Sequence, residues 1–163
     1  MKYVKSWKIF ENNHDLYNKD DIEDIFIDFT DVHNLKIKDI STGNSIEMPS
    51  DVVDDGRDFI IKDDNSYKSL CIKLERTGTL EYTNEFYEDL KLAIERSEKV
   101  FNLKLKCIFF SGFEYKNFNW WFKTLDLFKD RMTNVLSSGD LTTEREKEAL
   151  KKPLLIELMF ERL

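Results

Sequence analysis

Histidine and cysteine are scarce in this 163-residue chain. The histidines are His14 and His33, and the cysteines are Cys71 and Cys107. Histidine is the commonest acid–base residue, but His14 stands in a polar stretch. His33 stands where an amphipathic segment ends, and contact with a helix dipole accounts for it there. No Ser or Cys lies in a nucleophile-elbow context, and no Gly-rich phosphate loop occurs. The four His and Cys residues do not assemble a zinc spacing. Both cysteines fall in segments that read as strands, where a thiol behaves as a small apolar group. They are expected reduced and unpaired. No cofactor or metal is expected, and the chain reads as a non-enzyme.

The carboxylates are numerous and carry the remaining candidates. Asp51 to Asp58 has the density of a calcium loop, but its third position is Val53 and its twelfth is Lys62, where ligands are needed. A surface turn accounts for it. Glu114-x-Lys116 after a strand, with Asp58 upstream, is the pattern of a divergent metal-dependent nuclease and is kept as an alternative. Asp20, Asp21, Glu23 and Asp24 read as first-turn helix charges. Asp15 to Asp31 and Asp51 to Asp64 each carry acids in excess of bases, with no paired base or ligand set beside them. Asp20, Asp21, Asp24, Asp54, Asp55 and Asp58 are therefore the candidate binding residues for a protein partner that is itself basic or binds nucleic acid.

Composition agrees. The net charge is −7 with 35% charged residues, which argues against a general nucleic-acid binder. Hydrophobic residues reach 41%, including thirteen Phe, which excludes wholesale disorder. No run has the length of a membrane span and no apolar signal segment opens the chain. The expected compartment is the cytoplasm.

The elements that position these residues include an echo. Val100-Phe101-Asn102-Leu103-Lys104-Leu105-Lys106 repeats Val32-His33-Asn34-Leu35-Lys36-Ile37-Lys38 at an offset of 68 residues. In the helices that precede, Ile22, Ile25 and Phe26 align with Leu90, Ala93 and Ile94. Asn84 is the expected cap of the later helix and Asn18 of the earlier one. Asn34 and Asn102 are expected left-handed stops. Residues 35–76 read as short strands with turns, and Phe59–Lys62 and Tyr67–Glu75 as a hairpin around Asp63–Ser66. If the two Leu-Lys strands share a sheet, Lys36, Lys38, Lys73, Lys104 and Lys106 lie on its outer face beside Ile108 and Phe110. Such a surface is an alternative site, an open RNA-binding sheet.

Beyond Gly112, Phe118 to Phe128 is expected to be helical, although Trp120, Phe122 and Thr124 also alternate. Thr143-x-x-Glu146 is a capping box for a further helix. Leu154 to Leu163 is apolar on most sides and is expected to be buried in the domain or in a homo-oligomer.

Residues 1–11 begin Met-Lys-Tyr and close on Ile9-Phe10-Glu11. This leader resembles that of small proteins of large contractile-tailed phages. The resemblance implies a packaging leader cut after Glu11, and a virion or host-cytoplasm setting. Its alternative is an edge strand.

The expected architecture is a single α+β domain over 1–163: a mostly antiparallel sheet with helices on one face. Residues 1–17 are leader or edge strand, 18–112 the core with the helix–strand repeat, and 113–163 an aromatic-rich C-terminal helical extension. A first strand at 2–10 makes the order ferredoxin-like. The expected function is protein–protein interaction, as an inhibitor of a host or defence protein or as a minor virion component.

Overall fold

The structure, a computed structural model, describes residues 18–43, 45–47, 60–62, 69–111, 119–138, 144–153 and 155–163. Its elements run α1 (Lys19–Val32), β1 (Leu35–Gly43), β2 (Ser45–Glu47), β3 (Ile60–Lys62), β4 (Ser69–Arg76) and α2 (Asn84–Phe101). They continue as β5 (Leu103–Ser111), β6 (Asn119–Phe122), α3 (Leu125–Ser138), α4 (Glu144–Leu150) and β7 (Leu155–Arg162). Five strands form an antiparallel sheet in the order β1-β4-β7-β5-β6, and β2 pairs with β3 separately. The fold class is α+β.

Each helix forms for local reasons. Asn18 caps α1 by accepting from the Asp20 amide at 3.0 Å, and Ile22, Phe26 and Phe29 make its buried stripe. Thr83, not Asn84, caps α2. Its backbone is extended and its hydroxyl accepts from the Phe86 amide at 3.2 Å, which makes Asn84 the first helical residue. Asn34 (φ 55°) and Asn102 (φ 53°) are the positive-φ residues other than glycine among those described. A short polar side chain tolerates that left-handed turn, and at both places it sends a helix directly into a strand.

The echo extends well past the matching heptapeptides. Leu35 pairs with Arg76, and Leu103 pairs with Arg162. The ladders slip between Ile37 and Asp39 and between Leu105 and Cys107, so Lys38 and Lys106 occupy equivalent bulges. The Asn34 carbonyl accepts from the Thr77 amide at 2.7 Å, and the Asn102 carbonyl from the Leu163 amide at 3.3 Å. Thus α1-β1-β4 corresponds in register to α2-β5-β7. Strands β4 and β7 are antiparallel neighbours with Ile72 opposite Leu158, so the two units are related by a local two-fold normal to the sheet.

One face of the sheet carries the core. Leu70, Ile72, Leu74, Ile156, Leu158 and Phe160 from the central strands are buried with Phe26, Phe86 and Leu90 of the helices. The bulge at Lys106 advances the phase of β5 by one residue. Ile108 and Phe110 consequently point to the helix side and are fully buried, which corrects the expectation that they flank the lysines. Cys107 and Phe109 take the opposite face.

Three further expectations change. Residues 119–122 are strand, not helix, because Trp120 and Phe122 pair opposite Phe110 and Ile108. The helix starts at Leu125 and buries Phe128, Met132 and Val135 at its i, i+4, i+7 spacing. Residues 155–162 are the central strand rather than part of a helical extension. With a strand on each side and burial on both faces, β7 carries a near-continuous apolar run. Leu158, Met159 and Phe160 are thus buried within the domain. Finally, β3 pairs with β2 instead of β4, whose two edges are occupied by β1 and β7. The expected strand at 2–10 lies outside the described residues. No described helix is long and apolar enough to cross a membrane.

Candidate functional site

The two faces of the molecule differ in what they offer. On the sheet's second face, three adjacent strands present Cys71, Met159 and Cys107 side by side. The Cys107 Sγ lies 3.5 Å from the Met159 Sδ, and the Cys71 Sγ donates to Glu157 Oε2 at 3.7 Å. Burial pushes the Cys71 thiol up to about 12, with the Glu157 carboxylate adding to it. Burial likewise pushes Cys107 to about 12, followed by the effects of Cys71 and Glu157. Thiols held this far above neutrality are poor nucleophiles and poor ligands. Their strands are separated by β7, so their Cα atoms stand roughly 10 Å apart, beyond disulfide reach. Both are free, as expected.

Four of the five lysines foreseen for this face are paired. Lys36 meets Glu75 at 3.2 Å, Lys73 meets Glu157 at 3.9 Å, Lys104 meets Glu98 at 3.7 Å and Lys106 meets Glu161 at 3.3 Å. Lys38 is exposed at its bulge. With Phe110 in the core, the structure does not bring these residues together as a basic aromatic surface.

The helix side is different. Helices α1 and α2 pack against each other, and the end of α1 meets the early turns of α2. The His33 Nε2 lies 2.7 Å from Asp89 Oδ2, and its ring is wedged against Phe29 and Phe86 at 5.2 and 5.3 Å. The imidazole is nearly buried here and ties the helices together.

Between the helices runs a groove of roughly 350 Å³. Its floor is apolar, made by Ile25, Phe29, Val32, Leu92 and Ala93. Its rim is charged: Asp28, Asp31 and Asp89, with Arg96. Val32 is 60% exposed and Leu92 46%, although each lies beside the packed helix interface.

Acids continue from this groove along α1. Asp20, Asp24, Asp28 and Asp31 are exposed, and their i, i+4, i+8, i+11 spacing sets them on one stripe. Asp21 is half-buried beside them. Partial burial, then Asp24 and Asp20, raise its carboxyl above the ordinary carboxylate value, the direction expected where like charges crowd. The α1 sequence KDDIEDIFIDFTDV holds six acids against one lysine.

Of the sequence-based candidates, the structure brings Asp20, Asp21 and Asp24 together on α1. Asp54, Asp55 and Asp58 lie outside the described residues, as do Glu114, Lys116 and His14. Among the described residues, no three His, Cys, Asp or Glu side chains converge as a metal site. The sequence reading missed Asp28, Asp31, Val32, Asp89, Leu92 and Arg96. A signal existed: Asp28 and Asp31 continue the spacing of Asp20 and Asp24, and Val32 and Leu92 fall off the buried stripes of their helices.

No protein-family model, curated protein or solved structure matches this chain.

Proposed function

We propose that this chain binds a protein partner through the acidic outer face of α1, without turnover. The observation that carries the reading is the unbroken stripe Asp20, Asp24, Asp28 and Asp31, whose neighbours on the groove floor are exposed apolar side chains. An acidic face speeds association with basic partners and makes it salt-sensitive. Apolar side chains beside it add contact area that charge alone lacks. The partner class is a protein that is basic or binds nucleic acid. The resemblance of residues 1–11 to leaders of contractile-tailed phage proteins supports a viral setting. The role there is inhibition of a host or defence protein, or service as a minor virion component.

The test is capture of partners on the immobilised protein at low and high salt, beside the charge-reversed D20K/D24K variant. Capture that falls with salt and with the variant is expected. A partner retained unchanged in both conditions rules out the acidic face. Turnover of any substrate by the purified protein rules out the non-enzymatic reading.

A further inference from the structure

We infer that the groove between α1 and α2 is a seat for a basic amphipathic helix supplied by the partner. This rests on the acidic-face reading above and adds the partner's conformation and the place where it docks.

The groove walls argue for a helix. Both walls are helices whose backbone groups are already paired along their own axes, so an extended peptide would find no ladder to join. A third helix needs no backbone partner, and its ridge of side chains fits the furrow between two others. The α1 helix is 14 residues long, about 21 Å at the helical rise. An occupant of three to four turns spans it.

The floor and rim specify the side chains. Val32, Leu92 and Ile25 ask for apolar residues recurring at three- and four-residue intervals. Asp28, Asp31 and Asp89, the last already held by His33, line the rim with Arg96 as its cation, so lysine or arginine should flank the apolar stripe beside Asp28 and Asp31. A second copy of this chain is the wrong occupant. Its own acidic stripe would face the same acids, and the chain carries a net charge of −7.

The full chain is titrated with a fluorescent basic amphipathic peptide of about fifteen residues, the length that spans α1. A second peptide has the same composition, scrambled to break the apolar period. The patterned peptide should bind about tenfold tighter or more than the scrambled one, and V32S/L92S should remove that advantage. Both substitutions are at exposed positions, and matching circular dichroism and urea midpoints check that the variant is folded. I27S is the control, because Ile27 is 50% exposed on α1 but does not line the groove; it should leave both peptides unaffected. D28N/D31N should weaken both.

If the two peptides bind alike, or V32S/L92S changes nothing, the groove is not the seat, while the charge reading stands. If neither peptide binds at low salt, the acidic face does not hold basic segments and both readings fall. Concentration-dependent self-association that V32S/L92S abolishes would give the groove to a second copy and overturn the inference.

Discussion

At the end of α1 stands His33, and at the corresponding place in α2 stands Phe101. The two positions share a backbone path, and each leads through a left-handed asparagine into a bulged strand. Their surroundings do not match. His33 is tied to Asp89, whereas Phe101 is buried apolar surface. The same split runs through both halves. Helix α1 carries six acids and one base, while α2 mixes five acids with Lys91, Arg96 and Lys99. The second half also gains β6, α3 and α4, which bury Trp120, Phe122 and Phe128.

On the second sheet face the local two-fold relates two adjacent rows of side chains. One reads Asp39, Lys73, Glu157, Phe109; its mate reads Cys107, Met159, Cys71, Ser41. The same register holds a row with charges and a row of sulfur. The shared register sets only the frame. Within that frame the side chains give one half an acidic helix and the other the added aromatic core.

The largest expected effect lies in the sulfur row. Thiols at about 12 instead of an ordinary 9.0 hold about a thousandfold less thiolate at a given pH. Cys71 and Cys107 should therefore react with a thiol reagent at mildly alkaline pH far more slowly in the native protein than in denaturant. Reaction at the denatured rate would show an open row. The sign for stability follows. The folded state holds these protons more firmly than the unfolded chain, so the stabilisation is complete below pH about 9 and is lost as pH rises toward about 12. Urea midpoints measured across that window should fall, and C71A/C107A should flatten the fall.

Next in size is the added aromatic core. Phe128→Ala should cost about 3–5 kcal/mol, whereas Ile27→Ala on the exposed side of α1 should cost under about 0.5 kcal/mol. Equal losses by urea denaturation would erase the division between halves.

The bulges separate the halves again. The Leu105 amide donates to Glu98 Oε1 at 2.8 Å, and the residue equivalent to Glu98 in α1 is Thr30. Thr30 bonds back to the Phe26 carbonyl at 3.0 Å within its own helix. Glu98→Ala should cost about 1.5–3 kcal/mol, as for a lost bond to a charged acceptor. Thr30→Ala should cost less than Glu98→Ala in the same measurement.

The smallest difference concerns the turns. The Asn34 Nδ2 donates to the Thr79 carbonyl at 3.0 Å. Asn34→Gly should then lose about 0.5–1.5 kcal/mol. Asn102→Gly should be close to neutral, because glycine suits the left-handed turn. Identical changes at both sites would mean that the Thr79 bond contributes nothing.

What could be read from the residues follows from how local each cause is. The α2 stripe, Asn34, Asn102 and the strands after them were legible, because capping, periodicity and left-handed turns act within a few residues. The bulges were not, since a ladder slips in response to a partner strand far away in sequence. That slip reversed the expected facing of Ile108 and Phe110. Strand β7 escaped for a related reason. A strand buried on both faces loses its alternation, and Leu155 to Phe160 then reads like a buried helix. Of the site, Asp20, Asp21 and Asp24 were legible as charges on one helix. The groove was not, because Leu92 and Asp89 join it only through the packing of α2 on α1.

The place of β7 has a consequence for how the chain folds while it is being made. Strands β4 and β5 are both translated before residues 155–162, yet in the folded sheet they are not neighbours, because β7 lies between them. Without that segment the remaining pairings of the sheet are β1-β4 and β5-β6, and the edges of β4 and β5 that face β7 lack their partner. Such edges are templates for wrong partners. The five-stranded sheet is therefore complete only once residues 155–162 have joined it.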